Sequence, residues 1–196
     1  MNVIATGCLI VLLLPALVSA QTPVTRASGG SIKTELGMGI TVNKGSTLER
    51  EWITVHQALP ADLVGTTGVR TVYKSGRVSG EYNYEAELTL EAKEPLSAFT
   101  VHYLLFDVWG RHVRTLALTE VTDADPGNKT FSGTWRAWSE NDVSTYYASI
   151  AYLARLRTKA GRVIAADTTP VLAEARKFTT KLSAEDLEPK LRPDSR

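Results

Sequence analysis

Between Glu81 and Ala92 the chain alternates without a break. Glu81, Asn83, Glu85, Glu87, Thr89 and Glu91 share one parity, and Tyr82, Tyr84, Ala86, Leu88, Leu90 and Ala92 share the other. A two-residue period places the polar set on one face of an extended strand and the apolar set on the opposite face. A helix cannot sort these residues, because its longer period would spread the carboxylates around the whole cylinder. The segment therefore commits the chain to a sheet with one solvated face, as antiparallel sheets commonly have.

The rest of the chain extends that pattern. Glu94 and Pro95 end the first strand. Phe99, Val101, Tyr103 and Leu105 then alternate with Thr100, His102, Leu104 and Phe106, apolar on both faces near the end, as in a central strand. Asp107 to Arg111 reverse the chain into Val113–Val121. Pro126 and Gly127, at the centre of the next turn, lead into Lys129–Trp138. Ser139 and Asp142, three residues apart, are placed to cap one helical turn before Tyr146–Arg157, and Lys159, Ala160 and Gly161 turn that strand into Val163–Ala166. Upstream, Trp52–His56 and Val69–Tyr73 read as two further strands. Strands at this spacing, with no helices alternating between them, predict a sandwich or barrel. After Pro170 the period changes: Leu172, Ala175, Phe178 and Leu182 recur at helical spacing and predict a short amphipathic helix.

The first twenty residues carry no Asp, Glu, Lys or Arg and are apolar from Val3 to Leu14, with Pro15 before Val18, Ser19 and Ala20. This is the pattern of a secretory signal peptide cut between Ala20 and Gln21, and it predicts a periplasmic or extracellular product. The only cysteine, Cys8, lies within that leader. Cleavage would leave no thiol for a disulfide, a thiolate metal site or a nucleophile, so stability must come from an apolar core. No second apolar run approaches membrane length, so no membrane span is expected once the leader is removed. The 22 basic and 21 acidic residues give a formal charge of +1. No concentrated basic face of the kind that binds nucleic acid is expected. The expected organisation is a signal peptide over 1–20, a flexible lead-in over 21–31, a sandwich over 32–168, a helix over 169–182 and a charged tail over 183–196.

The chain offers little chemistry. The Gly-x-Ser-x-Gly elbow is absent, and Ser144, His102 and Asp107 form a triad only by free choice. His102 and His112, flanking a turn, would stand about 13 Å apart at the rise of a strand, too far for one zinc. Asp123, Asp125 and Asn128 lack the glycine position and closing glutamate of an EF-hand. The Glu81–Glu91 stripe reads as a solvated face, and no nucleotide-binding glycine motif occurs. No catalytic residue, metal ligand or cofactor is expected.

Two short stretches resemble known families. Leu104, Leu105, Phe106, Asp107 and Gly110 resemble the apolar strand, aspartate and turn glycine of FxLYD-like domains of bacterial envelope proteins. Glu140 to Tyr147 is similar to the acidic helical turn and tyrosine pair that enter strand F of immunoglobulin domains, where a tyrosine hydroxyl ties the corner to upstream backbone. The resemblance covers residues 80–168 and departs from antibody domains in lacking their cysteines and strand-C tryptophan. It implies an immunoglobulin-like antiparallel β-sandwich, here with a short C-terminal helix, and little about activity, because such folds host many functions.

Two functions follow as expectations. The first is a non-catalytic structural or protein-interaction module of the bacterial envelope, with an envelope or extracellular protein as partner. The second is a carbohydrate-binding module using surface aromatics. Trp109, Trp138 and Tyr147 are the candidate contact residues. Trp135 shares parity with Phe131 and should point inward, whereas Trp138 has the opposite parity. Trp109 sits in a turn whose chemistry Asp107 and Gly110 already supply. Its ring either folds back over Val108 or Val113, or stands in solvent as a contact.

Overall fold

The computed structural model describes residues 23–29, 33–36, 40–42, 50–75 and 80–190. The expected leader over 1–20 lies outside them. In chain order the strands are β1 (Val24–Gly29), β2 (Lys33–Leu36), β3 (Ile40–Val42), β4 (Arg50–Val55), β5 (Ala61–Leu63), β6 (Val69–Ser75), β7 (Gly80–Ala92), β8 (Leu96–Asp107), β9 (His112–Ala124) and β10 (Gly127–Arg136). The short helix α1 (Glu140–Thr145) leads to β11 (Tyr146–Thr158) and β12 (Val163–Ala165), and α2 (Thr169–Ala175) and a 3₁₀ turn (Ala184–Leu187) follow.

The strands form two packed sheets. Sheet I runs β1-β4-β11-β8-β9 with β12 against β11, and sheet II runs β10-β7-β6-β2-β3 with β5 against β7. The chain crosses between sheets at the β7–β8 and β9–β10 turns and again through α1. The molecule is an all-β sandwich with short helices, as the alternation predicts. It is not antiparallel throughout: β4 lies parallel to β11, and β2 parallel to β6. In the first case the chain passes through the other sheet between the two strands, and that return allows the parallel alignment.

The alternation of β7 is realised in its burial: Leu88, Leu90 and Ala92 are buried, while Glu87 and Glu91 are exposed. On β8 both parities are buried, for two different reasons. Tyr103 and Leu105 meet Tyr84, Leu88 and Leu90 between the sheets. Leu104 and Phe106 point to the outer face of sheet I, where Val171, Ala175, Leu182 and Leu187 cover them together with Ile53, Ile150 and Tyr152.

Three expected boundaries are corrected. Val24–Gly29, expected as part of a flexible lead-in, pairs with β4 in full register as an edge strand, because its backbone groups complete the sheet there. The C-terminal helix stops at Ala175 instead of reaching Leu182. Pro170 suits its first turn, but Phe178 leaves the helical path to stack on Phe106 at 4.9 Å, and the β-branched Thr179 and Thr180 extend a helix poorly. The tail does not fray at Ser183. Ser183 and Asp186 cap the 3₁₀ turn reciprocally, and Leu187 is buried against sheet I. Among the described residues, no helix is long and apolar enough to cross a membrane.

Candidate sites at the α1 end of the sandwich

All three candidate aromatics lie at the end of the sandwich that α1 closes. The β8–β9 tip is built around the Asp107 carboxylate. It is buried and accepts hydrogen bonds from the backbone N–H of Trp109 (2.9 Å) and Arg111 (2.8 Å) and from Arg111 Nε (2.7 Å). Gly110 takes φ +73°, in the left-handed region that favours glycine. Val108 N–H donates to Thr145 O (2.9 Å), which ties the tip to the end of α1. The tip is thus fixed without the indole of Trp109, which is 76% exposed. Of its two open placements, the ring takes the one in solvent.

The crossover from β10 to β11 is pinned from inside. Ser139 caps α1 by accepting from Asp142 N–H (3.2 Å), and Val143 is buried beneath it. The Tyr146 hydroxyl donates to Val69 O on β6 (2.8 Å). This hydroxyl does tie a corner to upstream backbone, but it does so across the two sheets. Arg50, 2% exposed, lies beside it with its guanidinium over the Tyr146 ring at 4.8 Å. It donates to Thr71 Oγ1 (2.7 Å), Tyr146 O (3.2 Å) and Val143 O (3.4 Å). Burial lowers the Arg50 pKa from its ordinary value, against the opposing pull of Tyr146 and Tyr84. The sequence carried no sign of this residue's role: in Glu49, Arg50, Glu51 it reads as one member of a solvated charge run.

The other two aromatics occupy separate clefts. Trp138 is half-buried, with the Arg114 guanidinium 4.5 Å from its ring centre, and lines a cavity of about 280 Å³ with Glu81, Tyr82, Arg136 and Glu140. In that cavity the Tyr82 hydroxyl donates to Glu140 Oε1 (3.0 Å). Tyr147 lines a cavity of about 420 Å³ with Arg26, Ser28 and Glu51, where Arg26 bridges Glu51 to Glu174 of α2. Trp109 lines neither cavity. The fold brings the three residues to one end without stacking them into a common platform. Trp135 points inward as its parity predicts, and its Nε1 donates to Ala117 O (3.0 Å).

The remaining polar candidates are engaged separately. Ser144 is exposed and donates to Asn141 O (3.0 Å), while His102 contacts the Tyr152 hydroxyl (3.2 Å), so Ser144, His102 and Asp107 do not converge. His56 lies between Asp62 (3.1 Å) and Thr25 (3.0 Å), and His112 contacts Thr115 (3.0 Å). Asp123 pairs with Lys159 (3.1 Å). Among the described residues, no group of three His, Cys, Asp or Glu side chains is arranged to hold a metal.

No family model matches the sequence, and no curated protein matches it. A solved structure of a hypothetical protein from Peptoclostridium difficile 630 is similar over 67% of this chain and 97% of its own, with 8% identity and a TM-score of 0.44.

Proposed function

We propose that this chain is a non-catalytic, exported module of the bacterial cell envelope that engages a protein partner through the Trp109 tip. One observation carries the reading: a tryptophan stands 76% exposed on a turn that is fully built by its neighbours. A large aromatic in water has an unfavourable hydration free energy that docking would relieve, and tryptophan is over-represented where binding energy concentrates. The tip is held by three hydrogen bonds to Asp107 and one to Thr145, so little ordering cost remains on association. Export rests on the composition of the first twenty residues, and placement in the envelope on the FxLYD-like and immunoglobulin-like stretches.

The test is affinity capture from the organism's own envelope fraction, using the tagged full chain and its Trp109→Ala variant, with mass spectrometry as the readout and envelope polysaccharide binding run in parallel. Recovery of a defined protein by the wild type, reduced about tenfold or more in the variant, is expected for a contact that supplies about 1.4 kcal/mol or more. Equal capture by both proteins would remove Trp109 from the interface. Retention on polysaccharide that survives Trp109→Ala but is lost with Trp138→Ala would instead establish the carbohydrate-binding function.

A further inference from the structure

The segment from Asp167 to Lys190 lies across the outer face of sheet I as a strap, burying Val171, Ala175, Leu182 and Leu187 against Leu104, Phe106, Ile150 and Tyr152. Beneath its last turn the strap rests on two histidines of the sheet, His102 on β8 and His112 on β9. We propose that this strap is a pH-sensitive latch, closed over sheet I at neutral pH and loosened when His102 and His112 take up protons.

Hydrogen bonds place both imidazoles at the seam between sheet and strap. Thr115 Oγ1 has one proton, and it donates that proton to the backbone carbonyl of Asp186 in the strap (2.7 Å). The same oxygen must therefore accept from His112 Nε2 (3.0 Å), so Nε2 carries a proton. His102 Nδ1 lies 3.2 Å from the Tyr152 hydroxyl, and the ring sits against the Leu187 backbone. Thr115 thus links the sheet to Asp186 of the 3₁₀ turn with His112 at its back, and His102 lies against the next residue, Leu187. A second proton on His102 would place a charge in a buried layer beneath Leu187.

The charged surroundings do not offset that cost. Around His102, Glu188 of the strap favours the proton and Arg155 of β11 opposes it. Around His112, Asp186 and the Arg114 backbone favour it, Lys190 opposes it, and the Phe106 ring lies 5.7 Å away. Burial is the dominant influence on both rings and holds both below the ordinary histidine value. A depressed folded-state value means that the undocked imidazole protonates first. Docking is therefore complete above about pH 6.5 and is lost progressively as pH falls below it toward the folded values. Asp186 does not confuse that range. Its hydrogen bonds to Lys190 and Ser183 hold its carboxyl well below the usual carboxylate range, so it stays ionised while the histidines titrate. Release would uncover the Leu104, Phe106, Ile150 and Tyr152 strip beside the Trp109 tip, because Phe178 of the strap packs where a Cβ on Gly110 would meet its carbonyl oxygen. The latch does not depend on Trp109 being a contact residue.

Hydrogen exchange of the full chain, read by mass spectrometry at pH 7.5 and pH 5 and corrected for the intrinsic pH dependence of exchange, tests the latch. Peptides from 171–187 should lose protection by about tenfold or more at the lower pH, while β7 and β10 peptides keep theirs. A His102→Gln, His112→Gln double variant should show a loss of about threefold or less in the strap. Equal strap protection at both pH values, uniform loss across all peptides, or a double variant that responds like the wild type would overturn the proposal. Should the double variant fail to fold, NMR titration of the wild-type histidines decides: values for His102 and His112 at or above about 6.5 would overturn it, and depressed values that shift with Leu187→Ala would sustain it.

Discussion

The two faces of sheet I are buried by different means. Its inner face meets a second sheet, and the contacts between them come from side chains of long paired strands, among them Tyr84, Leu88, Leu90, Phe99, Tyr103 and Leu105. Its outer face meets a single strap, whose four buried side chains are spread over a short helix, a turn and a 3₁₀ turn. Every strand that lines the inner face is held by backbone ladders within its own sheet, so no strand can leave it without breaking backbone pairing. The strap has no ladder. Its polar attachment to the sheet runs through side chains, among them Thr115 on Asp186 and Arg26 on Glu174, and such attachments respond to solvent conditions in a way that a ladder does not.

Removing a large side chain from each face is the most direct way to break this comparison. Phe99 is buried between the sheets with its ring edge-on to Phe131 at 4.7 Å. Phe99→Ala should cost about 4 kcal/mol, and the whole molecule should register the loss as a lowered midpoint in urea with an unchanged slope. Leu187→Ala should cost about 2 kcal/mol at the strap, seen first as faster exchange of residues 171–187 and only then as a lower midpoint. If both variants lowered global stability without separating in the exchange pattern, the strap would be a full part of the cooperative core.

The same contrast explains what was legible in the sequence. Strand alternation exposed β7, β8, β9, β10 and β11, because a two-residue period with charges on one side has one reading. The β8–β9 tip was equally legible, since aspartate and glycine at those positions announce the turn and leave Trp109 without a structural task. In sequence the strap reads as one helix over 169–182, because Leu172, Ala175, Phe178 and Leu182 happen to keep a helical spacing. Phe178 and Leu182 do reach sheet I, but from a turn and from the run-in to the 3₁₀ segment. Leu187 stood in a charged, proline-containing tail, where nothing local distinguishes a buried leucine from a free one. Arg50 was hidden for the related reason that its burial depends on β6 and the β10–β11 crossover, far away in sequence.

Alkaline pH should reach the inner core from another direction. Burial pushes the phenols of Tyr103 and Tyr146 up to about 12. For an acid whose folded value is raised, the unfolded chain ionises first. Stability is therefore unaffected below about pH 10 and falls between about 10 and 12. Tyr152 on the outer face is raised as well, so alkali does not distinguish the two faces, whereas acid acts through the histidines under the strap. Tyr146→Phe sharpens the point. It removes the hydrogen bond to Val69 O, which should cost about 1 kcal/mol at neutral pH, and it should reduce the slope of the alkaline loss. An unchanged alkaline slope in this variant would mean that Tyr146 does not contribute to that limb.

The smallest expected effect falls on the residue given the largest functional weight. Trp109 is mostly exposed, and its N–H bond to Asp107 is a backbone contact that any side chain at 109 would leave in place. Trp109→Ala should therefore change stability by less than about 0.5 kcal/mol, the usual range for a surface substitution. Asp107 gives the internal reference. Its buried carboxylate organises the tip and pairs with Arg111, so Asp107→Ala would strip three hydrogen bonds from the turn and should destabilise the protein measurably. The two residues are two positions apart and have opposite assignments, one structural and one free to bind. A Trp109→Ala variant as unstable as Asp107→Ala would show that the indole packs on the sandwich in solution, and the interface would then have to be sought elsewhere on the molecule. A variant with wild-type stability leaves the ring free to bind, so its effect on partner capture can be read without correction for folding.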